Sequence, residues 1–522
     1  MHHCLSVTEL LDVIMSEFIW RAETDSKGPS DPLCGSTLLA LALTCKTFQQ
    51  PALNALWNVL SSPVPLVMCL DRNIWEEKPL LTRHYSSRLV FKQLMSLQDV
   101  DALLCYTKRV RHVYFQPFKG GRGVPGEAIG TLMHATTTPL FPNLRTLSWL
   151  PLPVDETHSL FRLYLGPPHL ESLRLHIGCT PFQLSIIPYI QVTHTQIKQC
   201  HITDNSVVPS PFAREAISSL IISWDNLESL TCARLTTASL VHLMQLRSLR
   251  KLDFALAEES IDFDFSPSQM CFPALEELRL TALSLAYCYK ILDHTTPSTI
   301  TTISVFLNRV ATLTSDIEEF FKYVSHFPLL ASLSLEEEFS SPPQFPIGYV
   351  IQLATIKPLF ALSGLRCLKI NTSSTFSLDL DERALKQMGA AWPELQILSL
   401  GGVNGWRRRP TLTLIGLAAI LASFPKLNTL GIAIDATKIE ECSTERPGLG
   451  VRNESVTRLE LADSKLREPT LVAAFLSDIL PCVTSIDSWS SIELASRYEA
   501  SKYGRRWAEV EKLLKTMSMV RT

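Results

Sequence analysis

Few residues in this 522-residue chain stand at the spacings chemistry needs. Gly121-Arg122-Gly123-Val124-Pro125-Gly126 matches the G-x-G-x-x-G pattern, in which backbone N–H groups cradle a pyrophosphate at a strand-to-helix turn. Pro125 and residues 116–120 break that continuity, so the stretch reads as a glycine-rich loop. Arg407-Arg408-Arg409 follows Trp406, a combination of cations and an aromatic ring that can touch phosphate. A solvated loop is the plainer reading, and no nucleic-acid partner is assigned from it. His2, His3 and Cys4 are metal-ligating types without a fourth ligand. G-x-S-x-G, H-E-x-x-H and P-loop patterns are absent, so no catalytic residue, cofactor or metal ligand is assigned. Five charged residues remain: Arg174, Lys251, Asp253, Glu277 and Arg279. Each takes an outward position of a short apolar-patterned segment, and together they form a mixed-charge strip suited to a protein substrate. Charges of this kind set register and specificity more than affinity. The alternative is a solvated sheet face.

The segments carrying those charges follow one pattern. In Leu275-Glu276-Glu277-Leu278-Arg279-Leu280 the apolar residues fall at positions one, four and six. The same spacing recurs with first positions at 110, 144, 170, 197, 227, 249, 275, 300, 330, 365, 395, 427, 456 and 483. Several copies are introduced by a proline two residues earlier, as at Pro142, Pro168, Pro273, Pro328, Pro393 and Pro425. Residues four and six share one face of a strand, and residue one turns into the same core. Three aliphatic side chains, at about 1.5–3 kcal/mol each when fully buried, stabilise a strand only if neighbouring copies cover them. The fold class is therefore α/β, an irregular leucine-rich-repeat solenoid with a parallel concave sheet. Backing helices follow from apolar residues at helical spacing between strands, as in Ile317, Phe320, Phe321 and Val324, or Leu412, Ile415, Leu417, Ile420 and Leu421. The asparagine of a regular repeat's ninth position occurs only at Asn205 and Asn308, so the curvature is expected to be uneven.

Composition sets limits on function. A formal charge of −3 gives no general pull toward nucleic acid or membrane. No uncharged apolar run reaches about 18 residues, and no membrane span is expected. The start, Met1-His2-His3-Cys4, lacks the pattern of a secretory leader. Thirteen cysteines without a C-x-x-C pair, several at core positions such as Cys45, Cys200 and Cys232, indicate a reducing compartment, cytoplasmic or nuclear.

Ahead of the repeats, Val7, Leu10, Leu11, Ile14 and Phe18 mark one helical face, with Ser6 and Glu9 as a capping box. Residues Arg21 to Gly35 read as a loop. A second helix carries Leu38, Leu41, Cys45 and Phe48 and stops at Pro51, which opens a third carrying Leu53, Leu56, Trp57 and Leu60. Three short helices make a small core that leaves apolar surface for a partner.

Glu9-Leu10-Leu11-Asp12-Val13-Ile14, Leu41-Ala42-Leu43-Thr44-Cys45-Lys46-Thr47-Phe48 and Pro51-Ala52-Leu53-Asn54-Ala55-Leu56-Trp57 together resemble the F-box of fungal F-box proteins. Tyr106-Thr107-Lys108-Arg109-Val110-Arg111-His112-Val113 is similar to the tyrosine and Arg-Val-Arg segment that opens the repeats in that family. The resemblance implies a non-catalytic, substrate-recruiting subunit of an SCF-type cullin-RING ubiquitin ligase. Its F-box would dock on a Skp-type adaptor, and through it a cullin. The positions matching the docking helices are Leu10, Leu11, Ile14, Leu41, Cys45, Phe48, Leu53 and Trp57; closing the three-helix core is their alternative role. The expected organisation is an F-box over residues 1–62, a helical spacer over 63–107, the solenoid over 108–490 and a capping helix over 491–522. The cap presents Tyr503, Trp507, Val510, Leu514 and Met517 on one face. A leucine-rich scaffold without ligase docking is the competing function.

Overall fold

The computed structural model describes residues 7–18, 32–79, 85–93, 95–115, 121–125, 128, 130–132, 139–149, 169–176, 184–203, 211–256, 272–308, 314–338, 349–371, 376–402, 405–406, 409–439, 450–489 and 497–521. They fall into two compact units, Met1–Leu249 and Arg250–Thr522.

The first unit opens with three helices, α1 (Thr8–Ser16), α2 (Pro32–Thr44) and α3 (Lys46–Leu56). Met15, Leu38, Ala42, Ala52 and Ala55 form their core, and Phe18, Leu41, Phe48, Leu53 and Leu56 pack against it. Three local expectations are corrected. The residue before α1 is Val7, whose side chain makes no capping bond; Ser6 lies outside the described residues. Helix α2 already begins at Pro32, inside the stretch read as loop. The break between α2 and α3 falls at extended Cys45 (φ −158°, ψ 163°), and Pro51 sits inside α3. Its ring is buried, and that packing offsets the one N–H it cannot supply. Phe48 consequently belongs to α3, while Trp57 caps that helix instead of extending it.

The chain passes directly from α3 into β1 (Val59–Leu60), so the sheet starts well before residue 108. Next come α4 (Val64–Met68), β2 (Trp75–Pro79), β3 (Tyr85–Phe91), α5 (Leu97–Thr107), β4 (His112–Phe115) and β5 (Gly121–Gly123). The stretch read as wholly helical thus holds an antiparallel pair, β2 with β3, and β5 adds to it in parallel. The reason is visible in β3, where exposed Ser86 and Arg88 alternate with buried Ser87 and Leu89, a period of two. The glycine motif supplies β5, with Arg122 bonded to Glu77 at 3.0 Å, in place of a phosphate-cradling turn.

Strands β1, β4, β6 (Thr146–Trp149), β7 (Ser172–His176), β8 (Gln199–Thr203) and β9 (Ser229–Arg234) pair in that order, all parallel. Register stacks the fourth repeat positions, Leu60, Val113, Leu147, Leu173, Cys200 and Leu230, each 3% exposed or less. Before each strand, one carbonyl accepts two N–H groups from the next repeat: Arg111 O takes Arg145 N (2.7 Å) and Thr146 N (3.1 Å), and Arg145 O takes Glu171 N and Ser172 N. This fork holds adjacent repeats in step through backbone groups alone. Helices α6 (Ile187–Thr193), α7 (Pro211–Ile222) and α8 (Thr237–Gln245) follow the later strands. Tyr106 on α5 packs on Trp57 with ring centroids 4.8 Å apart, which joins the bundle to the sheet.

Behind α6, His194 is fully buried, and neither ring nitrogen has a partner among the described residues. Its carbonyl accepts the Trp224 indole N–H at 2.7 Å. Burial pushes the imidazole pKa down to about 4. The stability that depends on a neutral ring is complete above the ordinary value of about 6.5 and is lost as pH falls from there through about 4. Denaturant titrations should show a loss of about 2 kcal/mol from this group between pH 7.5 and 5. His194→Phe should flatten that slope, and an unchanged slope would remove His194 as its source.

In the second unit, β10 (Lys251–Ala255), β11 (Glu277–Ala282), β12 (Thr302–Asn308), β13 (Ser332–Glu338), β15 (Cys367–Asn371), β17 (Ile397–Leu400), β18 (Thr429–Gly431), β20 (Arg458–Glu460) and β22 (Ser485–Asp487) form a parallel ladder. Two small parallel pairs flank it, β14 (Tyr349–Ile351) with β16 (Phe376–Leu378) and β19 (Asp435–Ala436) with β21 (Lys465–Leu466). The backing helices are α9 (Leu285–Leu292), α10 (Thr314–Val324), α11 (Leu353–Ile356), α12 (Glu382–Ala391), α13 (Leu414–Leu421) and α14 (Pro469–Ile479). Ile317, Phe320, Phe321 and Val324 of α10 are all fully buried, as their spacing predicts. The long α15 (Arg497–Arg521) covers the last strand: Glu511 accepts the Ile486 N–H at 3.3 Å, and Trp489 and Trp507 both donate to the Ser464 carbonyl at 2.9 Å. An edge strand needs such cover for its free backbone groups. Both units are leucine-rich-repeat solenoids of parallel strands backed by helices.

Candidate functional site

The helical bundle presents two apolar faces where it needs only one. On α1, Leu11 and Met15 point into the unit, whereas Leu10, Val13 and Ile14, on the other side of the helix, are exposed. On α2, Leu38 and Ala42 are buried, and Leu39 and Leu43 are exposed by 50% and 79%. Of the residues matched to docking helices, Leu10 and Ile14 are therefore on the surface. Leu41, Cys45, Phe48 and Leu53 are half-buried, three of them against the bundle core. Leu11 (1% exposed) and Trp57 (9%) hold the unit together from inside. Sequence reasoning missed Val13, Leu39 and Leu43. Leu38-Leu39-Ala40-Leu41-Ala42-Leu43 is apolar on every side, so periodicity cannot say which side is outward.

The sheet faces carry the second set of candidates. Lys251 and Glu277 are direct cross-strand neighbours and form an ion pair of 2.7 Å; Asp253 and Arg279, the next outward pair, approach to 3.6 Å. Arg279 also lies 5.9 Å from the Phe306 ring centroid. Burial pushes the Asp253 carboxyl up by more than Arg279 lowers it. Cross-strand opposite charges of this sort stabilise the sheet. These four residues therefore satisfy one another in pairs, which limits the charge left for a partner. Arg174 belongs to the first unit, exposed on β7 in register with Ser148 and His201. Beyond Arg279 the same outward row continues through Ser304, Ser334, Lys369, Ser399 and Gly431 to Glu460. Its serines are buried, and Ser399 donates to Glu460 at 3.0 Å.

The arginine run near residue 407 does not form a stacking site. Trp406 is 1% exposed, so its ring is core, and Arg409 pairs with the buried Asp435 at 3.0 Å; Arg407 and Arg408 lie outside the described residues. Burial alone would raise the Asp435 carboxyl, but bonds from Thr437 and Arg409 outweigh it and hold it below the ordinary range. The turn into Trp406 depends on Gly405 at φ +85°, where an added Cβ would lie 2.8 Å from Cγ of Asp463, whose carboxylate accepts the Trp406 N–H at 3.2 Å. Gly405→Ala is expected to lower stability by about 1–3 kcal/mol, read as an earlier denaturant midpoint. A parent-like midpoint would show that the turn relaxes freely.

Among the described residues, no group of three or more His, Cys, Asp or Glu could hold a metal ion. None of their helices is long and apolar enough to cross a membrane. Cys45, Cys69, Cys105, Cys200, Cys232, Cys288, Cys367 and Cys482 form no disulfide, and burial pushes the Cys200 thiol well up.

No protein-family model and no curated protein sequence matches the chain. Solved structures with a similar fold include the TLR13–ssRNA13 complex, 13% identical over 74% of this chain and 51% of that one, with a TM-score of 0.36. The chain thus spans about half the length of that protein. Another is the yeast Rad7–Elc1 complex, 12% identical over 94% of this chain and 91% of that one, with a TM-score of 0.34.

Proposed function

We propose that this chain is a substrate-recruiting subunit of an SCF-type cullin-RING ubiquitin ligase. In this reading α1 and α2 dock a Skp-type adaptor, and through it a cullin, while the leucine-rich sheet faces hold a protein substrate. The observation that carries the reading is that α1 and α2 each expose apolar side chains, Leu10, Val13 and Ile14 on one and Leu39 and Leu43 on the other, while their opposite sides already fill the core. Exposed apolar side chains at this density on one small module suit association with a partner. The F-box resemblance of the same helices names the kind of partner. No reacting group is assigned to this chain, which would act by proximity, holding its substrate near chemistry done by another subunit. Its place of work would be the cytoplasm or nucleus.

The test is co-elution of the full-length chain with a recombinant Skp-type adaptor. The full chain is required because β1 follows α3 at once and pairs with β4, so cutting after the bundle removes a rung of the sheet. A stable complex is the expected result. An adaptor that elutes alone would leave the competing function, a leucine-rich scaffold without ligase docking.

A further inference from the structure

The Arg-Val-Arg segment at residues 109–111 divides its two arginines between different tasks. Arg109 works inside the fold, donating to Gln50 at 2.7 Å, to Asn54 and to the Cys105 carbonyl at 3.2 Å, which ties the end of α5 to α3. Arg111 instead lines a cleft of about 510 Å³ at the start of the first-unit strands, together with His112, Arg145, Thr146 and Ser172. Adjacent rungs of a sheet bring equivalent positions to about 4.8 Å. At this position Arg111 is followed by Arg145, then Glu171, then Lys198. Glu171 and Lys198 pair at 3.8 Å, and in the second unit the equivalent Arg250 and Glu276 also form an ion pair. Arg111 and Arg145 break that rule. They are like charges on neighbouring rungs, an arrangement that destabilises a sheet. Among the described residues neither has a carboxylate partner within ion-pair distance, and the Arg111 guanidinium makes one bond, from Nη1 to the Asn143 carbonyl at 3.3 Å. Burial and the nearby Arg145 charge both hold the Arg111 pKa below its ordinary value. Thr146 and Ser172, both hydroxyl-bearing, line the same cleft, and Thr146 Oγ1 shares a hydrogen bond of 3.0 Å with His112 Nδ1.

We propose that this cleft binds a phosphate monoester, the dianion lying between the Arg111 and Arg145 guanidinium groups with the Thr146 and Ser172 hydroxyls as further donors. Two guanidinium groups supply the forked donors that phosphate oxygens accept, and a dianion relieves the repulsion between them. A nucleic acid fits less well, because Glu171 on the rung next to Arg145, and Glu228 two rungs beyond it, would repel the next phosphate along. A single phosphate followed by a cation suits both ends. The site lies on the sheet and does not depend on ligase docking.

Calorimetric titration of the full chain tests the idea at fixed ionic strength, with inorganic phosphate, free phosphoserine, and a peptide mixture bearing one phosphoserine and a lysine two residues later. All three should bind the parent chain, and Arg145→Gln should weaken each by tenfold or more. Arg145 is exposed, so this variant is expected to fold, and it carries the test even if Arg111→Gln does not. A peptide mixture at least tenfold tighter than free phosphoserine identifies a protein as the source; equal affinities identify a small molecule. The proposal is overturned if Arg145→Gln binds phosphate as the parent does, or if single-stranded RNA binds through the same arginines more tightly than the phosphopeptides.

Discussion

Trp507→Ala is expected to cost about 3–5 kcal/mol, the range for emptying a buried aromatic site. The indole is 1% exposed in α15 and shares the Ser464 carbonyl with Trp489, which in turn stacks on Tyr503 at 5.2 Å. Val510 and Leu514 extend the same buried face of α15. Removing the ring leaves no orphaned acceptor, because Trp489 still donates to that carbonyl, so the loss is one of packing. Its consequence runs from the helix to the sheet: with α15 loosened, Glu511 no longer holds the Ile486 N–H, and β22 is left as an open edge. Hydrogen exchange should report this as lost protection in α15 and β22, with residues Lys251–Asn308 unaffected. Parent-like protection in α15 would show that the helix is held by its charged contacts, such as Lys465 with Glu499 at 2.8 Å.

The second large effect concerns the bundle. Val13→Glu combined with Leu43→Glu should weaken adaptor binding at least 100-fold, equivalent to about 2.7 kcal/mol, while leaving the fold intact. Both side chains are mostly exposed, 62% and 79%, and neither belongs to the bundle core. A carboxylate there is solvated in the free chain and must be stripped of water in a complex, so the penalty appears on binding alone. Leu11 and Trp57 would be poor choices, since their removal damages the core and would abolish binding for a trivial reason. Unchanged affinity in the double variant, with an unchanged melting curve, would place any docking surface elsewhere on the chain.

These two cases differ in how far the sequence alone could have led. Trp507 sits at helical spacing with Val510 and Leu514, so its inward direction follows from local pattern. Val13 and Leu43 sit among other apolar residues on short helices, and nothing local separates the side that fills the core from the side left over. Pro51 misleads for a related reason: read locally it ends a helix, yet inside the bundle its buried ring offsets the missing bond. Residues 75–91 mislead through their apolar content, although the alternation at Ser86 to Leu89 was there to be read.

The sequence by itself determined the repeating strand, because positions one, four and six of each copy decide which side chains face inward, and that geometry belongs to a few consecutive residues. It also determined which residues could lie on the outer rows. Only the tertiary structure decided which of those residues meet. Lys251 with Glu277, Asp253 with Arg279, and Arg111 beside Arg145 are neighbours through register alone, across chain separations that vary from copy to copy. Electrostatic energy depends on distance in space, so whether a charge is quenched or left wanting a partner was fixed when the rungs stacked.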